Sequence, residues 1–167
     1  GEVKMAAYFC AAATARTTSI GTTPDPATLI WQIDAFSIDK KNAPYPFSKR
    51  LADEQDWDDD FTHRAIAEYK RFICLAVLCD HGVTPSFVVD EVWHTHLIFT
   101  RSYWEEMGDL VGKLIHHDPG QGEPGDEAHF ARQYERTLEA YRKYFGEEPP
   151  ADIWGAGNRD KVLLKGR

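Results

Sequence analysis

Cysteine, basic residues and long apolar runs are scarce in this chain, and each shortage closes off a class of protein. Three cysteines in 167 residues, Cys10, Cys74 and Cys79, are too few for a disulfide framework. Cys74 and Cys79 stand five apart in a helical stretch, point in different directions, and read as small core residues. Such sparing cysteine use fits a reducing cytoplasm best. No stretch approaches the roughly 20 apolar residues of a membrane span. Nineteen Lys and Arg against 27 Asp and Glu leave a net charge of −8. That balance argues against nucleic acid or an anionic membrane surface as the partner. The Gly-x-Ser-x-Gly elbow and the Gly-x-x-x-x-Gly-Lys phosphate loop are both missing. Ser102 lies near histidines in sequence, but on a shared helix this is no evidence of a catalytic triad.

What remains is enough for one domain with a real core: 43% of the residues are hydrophobic and 13% aromatic. Helical spacing dominates. Leu29, Ile30, Ile33 and Phe36 follow the breaker-rich segment Thr22–Pro26, and a short helix fits Phe47 to Glu54 after the prolines Pro44 and Pro46. A long helix is expected over about Asp59 to Cys79, apolar along Phe61, Ala65, Tyr69, Phe72, Ala76 and Cys79. Asp58 suits its N-cap, with Asp59 and Asp60 at the positive end of the dipole. The six acids between Asp53 and Asp60 lack the glycine turn and distal glutamate of a calcium loop. Gly82 is expected to close this helix in left-handed geometry, and Thr84-Pro85 to open the next one as N-cap and first residue. That helix is expected to end at Met107-Gly108. A last long helix carries Phe130, Tyr134, Leu138, Tyr141 and Phe145 inward, and Ala151–Trp154 docks on the bundle.

No strand pattern is evident. The expected fold is all-α: a compact bundle of about five helices in one domain over 24–154, with a flexible arm at 1–23 and a mobile tail at 155–167. The apolar stretch Met5–Ala15 is too short, and too lightly preceded by Lys4, for a secretory signal.

The chemistry concentrates in Val88–Trp104. Four of the seven histidines, His94, His96, His116 and His117, fall within 24 residues. On a helical wheel Val89, Val92, Trp93, His96, Phe99, Thr100 and Tyr103 share the core face. Asp90 and His94 sit one turn apart on the flank. About 200° separates His94 from His96, so an undistorted helix cannot offer both to one ion. His96 is therefore expected to be a hydrogen-bonded core residue. Asp90 and His94, with His116 or His117 as a third ligand, match a catalytic divalent-metal site with an open position, zinc being one occupant. His117 is the preferred third ligand, and Glu68 or Glu91 is a candidate general base. The competing view is structural: Asp90 pairs with His94 or Arg101, and no ion is involved.

Several segments resemble one family in order. Glu68–Phe72, Val83–Ser86, Val89–Leu97 and Thr100–Trp104, followed by His116-His117 and Pro149–Trp154, resemble the glycine-rich domain-containing proteins of bacteria and plants. The resemblance runs from roughly Pro44 to Trp154 and centres on an Asp-x-x-Trp-His-x-His core. It marks Asp90, Trp93, His94, His96, Thr100 and Tyr103 as motif positions and implies no particular activity. The glycine-rich region of some members has no counterpart here. Two functions stay open: a metal-dependent hydrolase acting on a small-molecule substrate, or a non-catalytic module that binds a protein partner and whose histidines are structural.

Overall fold

A computed structural model describes residues 11–17 and 24–155. The rest of the expected arm, 1–10 and 18–23, and the tail beyond Gly155 lie outside the described residues. Five helices of nine residues or more carry the structure: α1 (Pro26–Ala35), α2 (Phe47–Gln55), α3 (Asp59–Leu78), α4 (Phe87–Leu97) and α6 (Asp126–Phe145). Two single turns, α5 (Gly108–Val111) and α7 (Ala151–Trp154), and a π-helix over Arg101–Met107 complete the helical part. None of these helices is long and apolar enough to cross a membrane.

α3 is the central helix, packed against α1, α2, α4 and α6. Its start follows from its acids. Asp58 Oδ1 accepts the Phe61 N–H, and Asp59 and Asp60 occupy the first turn. Every residue from Phe72 to Val77 is buried, so the second half of α3 is enclosed on all sides. Around it lie Leu29 and Ile33 of α1, Leu51 of α2, Val89, Val92 and Trp93 of α4, and Tyr134 and Tyr141 of α6. Full burial of each large apolar side chain is worth roughly 1.5–3 kcal/mol, so this shared wall supplies most of the driving force. Cys74 lies in the wall, and burial pushes its thiol up to about 12, as an inert core residue requires.

The all-α expectation is corrected in one respect: the fold is mostly helical but includes a two-stranded ribbon. Residues 11–17, expected within the arm, form strand β1 (Ala11–Thr17), which pairs antiparallel with β2 (Lys113–Pro119). Ala13 faces His117 across this ribbon, and on its other side exchanges backbone hydrogen bonds with Val83 at 2.8 and 3.4 Å. Ala11, Ala12 and Ala13 are all buried. Small side chains let the strand lie this close to its neighbours. They also deprive it of the apolar alternation by which a strand announces itself.

Three expected helix ends also move. α3 stops at Leu78, with Cys79 extended, and Gly82 does not take left-handed backbone. α4 is capped by Ser86, whose Oγ accepts the Val89 N–H at 3.2 Å. Thr84 instead ties the loop to α6, its hydroxyl donating to Gln133 and its N–H to Thr137. The helix expected to run to Met107-Gly108 instead ends at Leu97, where the Phe99 N–H turns back to the His96 carbonyl, and a separate π-helical segment carries the chain past Gly108. Gly108 has right-handed backbone and its N–H reaches the Tyr103 carbonyl, five residues back. The chain turns only at Gly112, whose φ of 66° favours glycine and directs it into β2.

Candidate metal centre

Asp90 lies in the first turn of α4, where the helix dipole favours a carboxylate, and His94 follows one turn later. Ser86 sets where that helix begins, and therefore which way both side chains point. His117 arrives from β2. The three converge: His94 Nε2 lies 2.8 Å from His117 Nε2, and His117 Nε2 lies 3.0 Å from Asp90 Oδ1. His94 Nε2 is 3.5 Å from Asp90 Oδ2. Ligand atoms held tetrahedrally at ~2.1 Å from an ion stand about 3.4 Å apart; two of the three separations are shorter, at hydrogen-bond length, so a cation entering here would spread the atoms by about half an ångström. Among the described residues this is the group of three whose ligand atoms gather within 4.8 Å.

Burial is graded across the group. Asp90 is 8% exposed at its side chain, His117 13% and His94 44%. The buried carboxylate forms the floor and His94 the rim, which leaves one side open to solvent.

His117 is held from behind. The Trp93 ring packs against the His117 ring with centroids 4.4 Å apart, and its Nε1–H donates to Tyr103 Oη at 2.9 Å. Tyr103 in turn donates to the Ile115 carbonyl at 2.6 Å. His116, on the opposite face of β2, lies beside Trp104 and stands outside the group.

His96 is the core histidine that the wheel anticipates, with no solvent exposure. Its Nδ1 meets Tyr69 Oη at 2.8 Å and its Nε2 meets Ser102 Oγ at 3.0 Å. Either neutral tautomer satisfies both hydroxyls, since each hydroxyl can donate or accept. Burial, helped by the Lys40 ammonium, lowers its pKa to about 3. Ser102 is itself buried, so the Ser102–His96 pair is a structural bond rather than a nucleophile and its base.

The two candidate bases are placed differently. Glu68 is buried but joins another cluster: Oε2 accepts Trp154 Nε1–H at 2.7 Å and Oε1 accepts the Tyr141 hydroxyl at 3.2 Å. Arg71 stands 3.7 Å away. This carboxylate pins α7 and α6 to α3, and the structure does not bring it to Asp90. Sequence spacing had no means of showing that Glu68, beside the apolar face of α3, would meet Tyr141 and Trp154, because these partners stand 73 and 86 residues away. Glu91 is half-buried and accepts from Gln55 Nε2 at 2.8 Å, and it too lies outside the three-residue group. The roles that sequence reasoning missed belong to Ser102 and to the Ile115 carbonyl. A backbone acceptor leaves no mark in a sequence.

Two curated proteins of Arabidopsis thaliana resemble this chain. It is 26% identical to glycine-rich domain-containing protein 1 over 129 residues, 74% of the chain, and 24% identical to glycine-rich domain-containing protein 2 over 121 residues, 67% of the chain. The chain spans only 15% and 14% of the lengths of these relatives. No family model and no solved structure matches it. The two relatives bear out the resemblance to the glycine-rich domain-containing proteins, and their names state no activity.

Proposed function

We propose that this relative of the glycine-rich domain-containing proteins holds a divalent transition-metal ion on Asp90, His94 and His117 and hydrolyses a small-molecule substrate with it. The observation that carries the reading is the convergence of those three side chains from two elements distant in sequence. Two imidazoles and one carboxylate are the donor set of catalytic zinc and of mononuclear iron(II) sites, which keep positions open. A bound ion there would supply Lewis acidity and an acidified water. Asp90 orients from below, His94 guards the solvent side, and His117 ties the site to β2. Neither candidate base is carried into this reading: both oxygens of Glu68 serve Trp154 and Tyr141, and Glu91 accepts from Gln55 and stands outside the three-residue group.

The test is metal content and affinity. Chelator-washed, untagged protein should take up one equivalent of zinc, manganese or iron(II) in titration calorimetry and elemental analysis. His94→Ala and His117→Ala should lose it while keeping the helical circular dichroism. Absence of uptake by the wild-type chain, or equal uptake by both variants, would refute the site. Hydrolysis is then tested on ester, amide and phosphoester panels, where activity must follow metal loading.

A second reading, a protein-interaction module, draws on Trp31. This tryptophan of α1 is 72% exposed, costly for so large an apolar ring unless a partner covers it. On that reading Trp31→Ala weakens partner binding and leaves metal uptake intact.

A further inference from the structure

We infer that Tyr103 is a positioning residue of the proposed metal centre, acting on His117 through the Ile115 carbonyl and the Trp93 ring. The inference rests on the metal reading above.

Tyr103 is buried, 1% exposed, so its hydroxyl has no water to turn to. It accepts from Trp93 Nε1–H at 2.9 Å and donates to the Ile115 carbonyl at 2.6 Å, which uses its one proton. Ile115 is two residues before His117 on β2, and in a strand such residues point to the same face. Fixing the Ile115 carbonyl therefore fixes the height and register at which the His117 ring meets α4. The donor of the first bond, Trp93, lies against the His117 ring and directly precedes His94. One hydroxyl thus links both histidine-bearing elements.

The local backbone is built for this. Tyr103 is carried by the π-helix Arg101–Met107, a wide turn that costs regular hydrogen bonding and recurs at functional sites. β2 pairs with β1 along its whole length and packs on α3 and α5. Without the Tyr103 bond, the His117 ring would be positioned by packing and by strand pairing alone. Outer partners that orient metal ligands typically contribute 10–100-fold in affinity.

The experiment compares zinc affinity, by competition with a chromophoric chelator, in wild type, Tyr103→Phe and Tyr141→Phe. Tyr141 is the control: it is equally buried and its hydroxyl is bonded, but to Glu68 and Arg71 of the other cluster. Tyr103→Phe should bind zinc about 10–100-fold more weakly, with an altered visible spectrum of the cobalt-substituted form. Tyr141→Phe should bind within about twofold of wild type, whatever it loses in thermal stability. Wild-type affinity in Tyr103→Phe, or equal weakening in Tyr141→Phe, would overturn the positioning role. Failure of the wild-type chain to bind zinc, manganese or iron(II) would instead overturn the metal reading itself, and the positioning role with it. Should Tyr103→Phe not fold, Trp93→Phe breaks the same chain one bond earlier, and unchanged affinity there is equally decisive against it.

Discussion

Acid should destabilise this protein through His96, and the size of the effect follows from its surroundings. The ring is sealed among Phe47, Tyr69 and Tyr103 and bonded to two neutral hydroxyls. Nothing there offsets the cost of a buried positive charge, so its pKa falls from near 6.5 to about 3. The sign is that of a base kept neutral by folding. Below pH 6.5 the unfolded chain takes up a proton that the folded chain refuses, so stability is intact above that pH and is lost progressively as pH falls toward 3. Between pH 7.5 and pH 5 the loss is about 2 kcal/mol, at ~1.4 kcal/mol per unit of pKa difference. The assay is urea unfolding of wild type and His96→Gln at both pH values. The variant carries its own constant cost from imperfect packing, but it does not titrate. The wild-type advantage should therefore shrink by about 2 kcal/mol on acidification. A wild-type advantage constant to within about 0.5 kcal/mol would refute the desolvated-histidine argument.

Other outcomes are equally definite. Glu68→Ala should destabilise by about 2–4 kcal/mol, since it leaves Trp154 Nε1–H and the Tyr141 hydroxyl buried without their acceptor; urea titration followed by tryptophan fluorescence reads it. Zinc at a hundredfold excess over its dissociation constant should stabilise the fold by about 2.7 kcal/mol, a gain that chelator reverses and His117→Ala abolishes in thermal melts. Calcium should leave the melting temperature unchanged, because four of the six acids of the 53–60 run already have partners, Asp53 in Lys49 and Tyr45, Glu54 in Arg50, Asp58 in the α3 cap and Asp60 in Arg64. Asp58→Ala should cost about 1 kcal/mol by removing that cap, measured by the same melts.

The helices were legible because their signals are local. Asp25 and Asp58 cap where a side-chain acceptor precedes an apolar period, and Gly146 ends α6 in left-handed backbone. The Asp90–His94 pair was legible for the same reason, as was the separation of His94 from His96, since one turn of helix fixes both relations. The choice of His117 over His116 depends on strand register, which alternates the two side chains across β2. That register is set by pairing with Ala11–Thr17, a segment about a hundred residues away whose alanines carry no alternation.

By itself, then, the sequence indicated the five long helices, the buried place of His96 and the Asp90–His94 pair, two of the three candidate ligands, all of which rest on contacts within a turn or two of chain. Tertiary structure decided the rest. It brought β2 against α4 so that His117 completes the group, turned Glu68 toward Trp154 rather than toward Asp90, and widened Arg101–Met107 into a π-helix that delivers Tyr103. Each of these depends on which of several nearly equivalent faces is covered by a distant element, and such a choice is made by packing across the whole core.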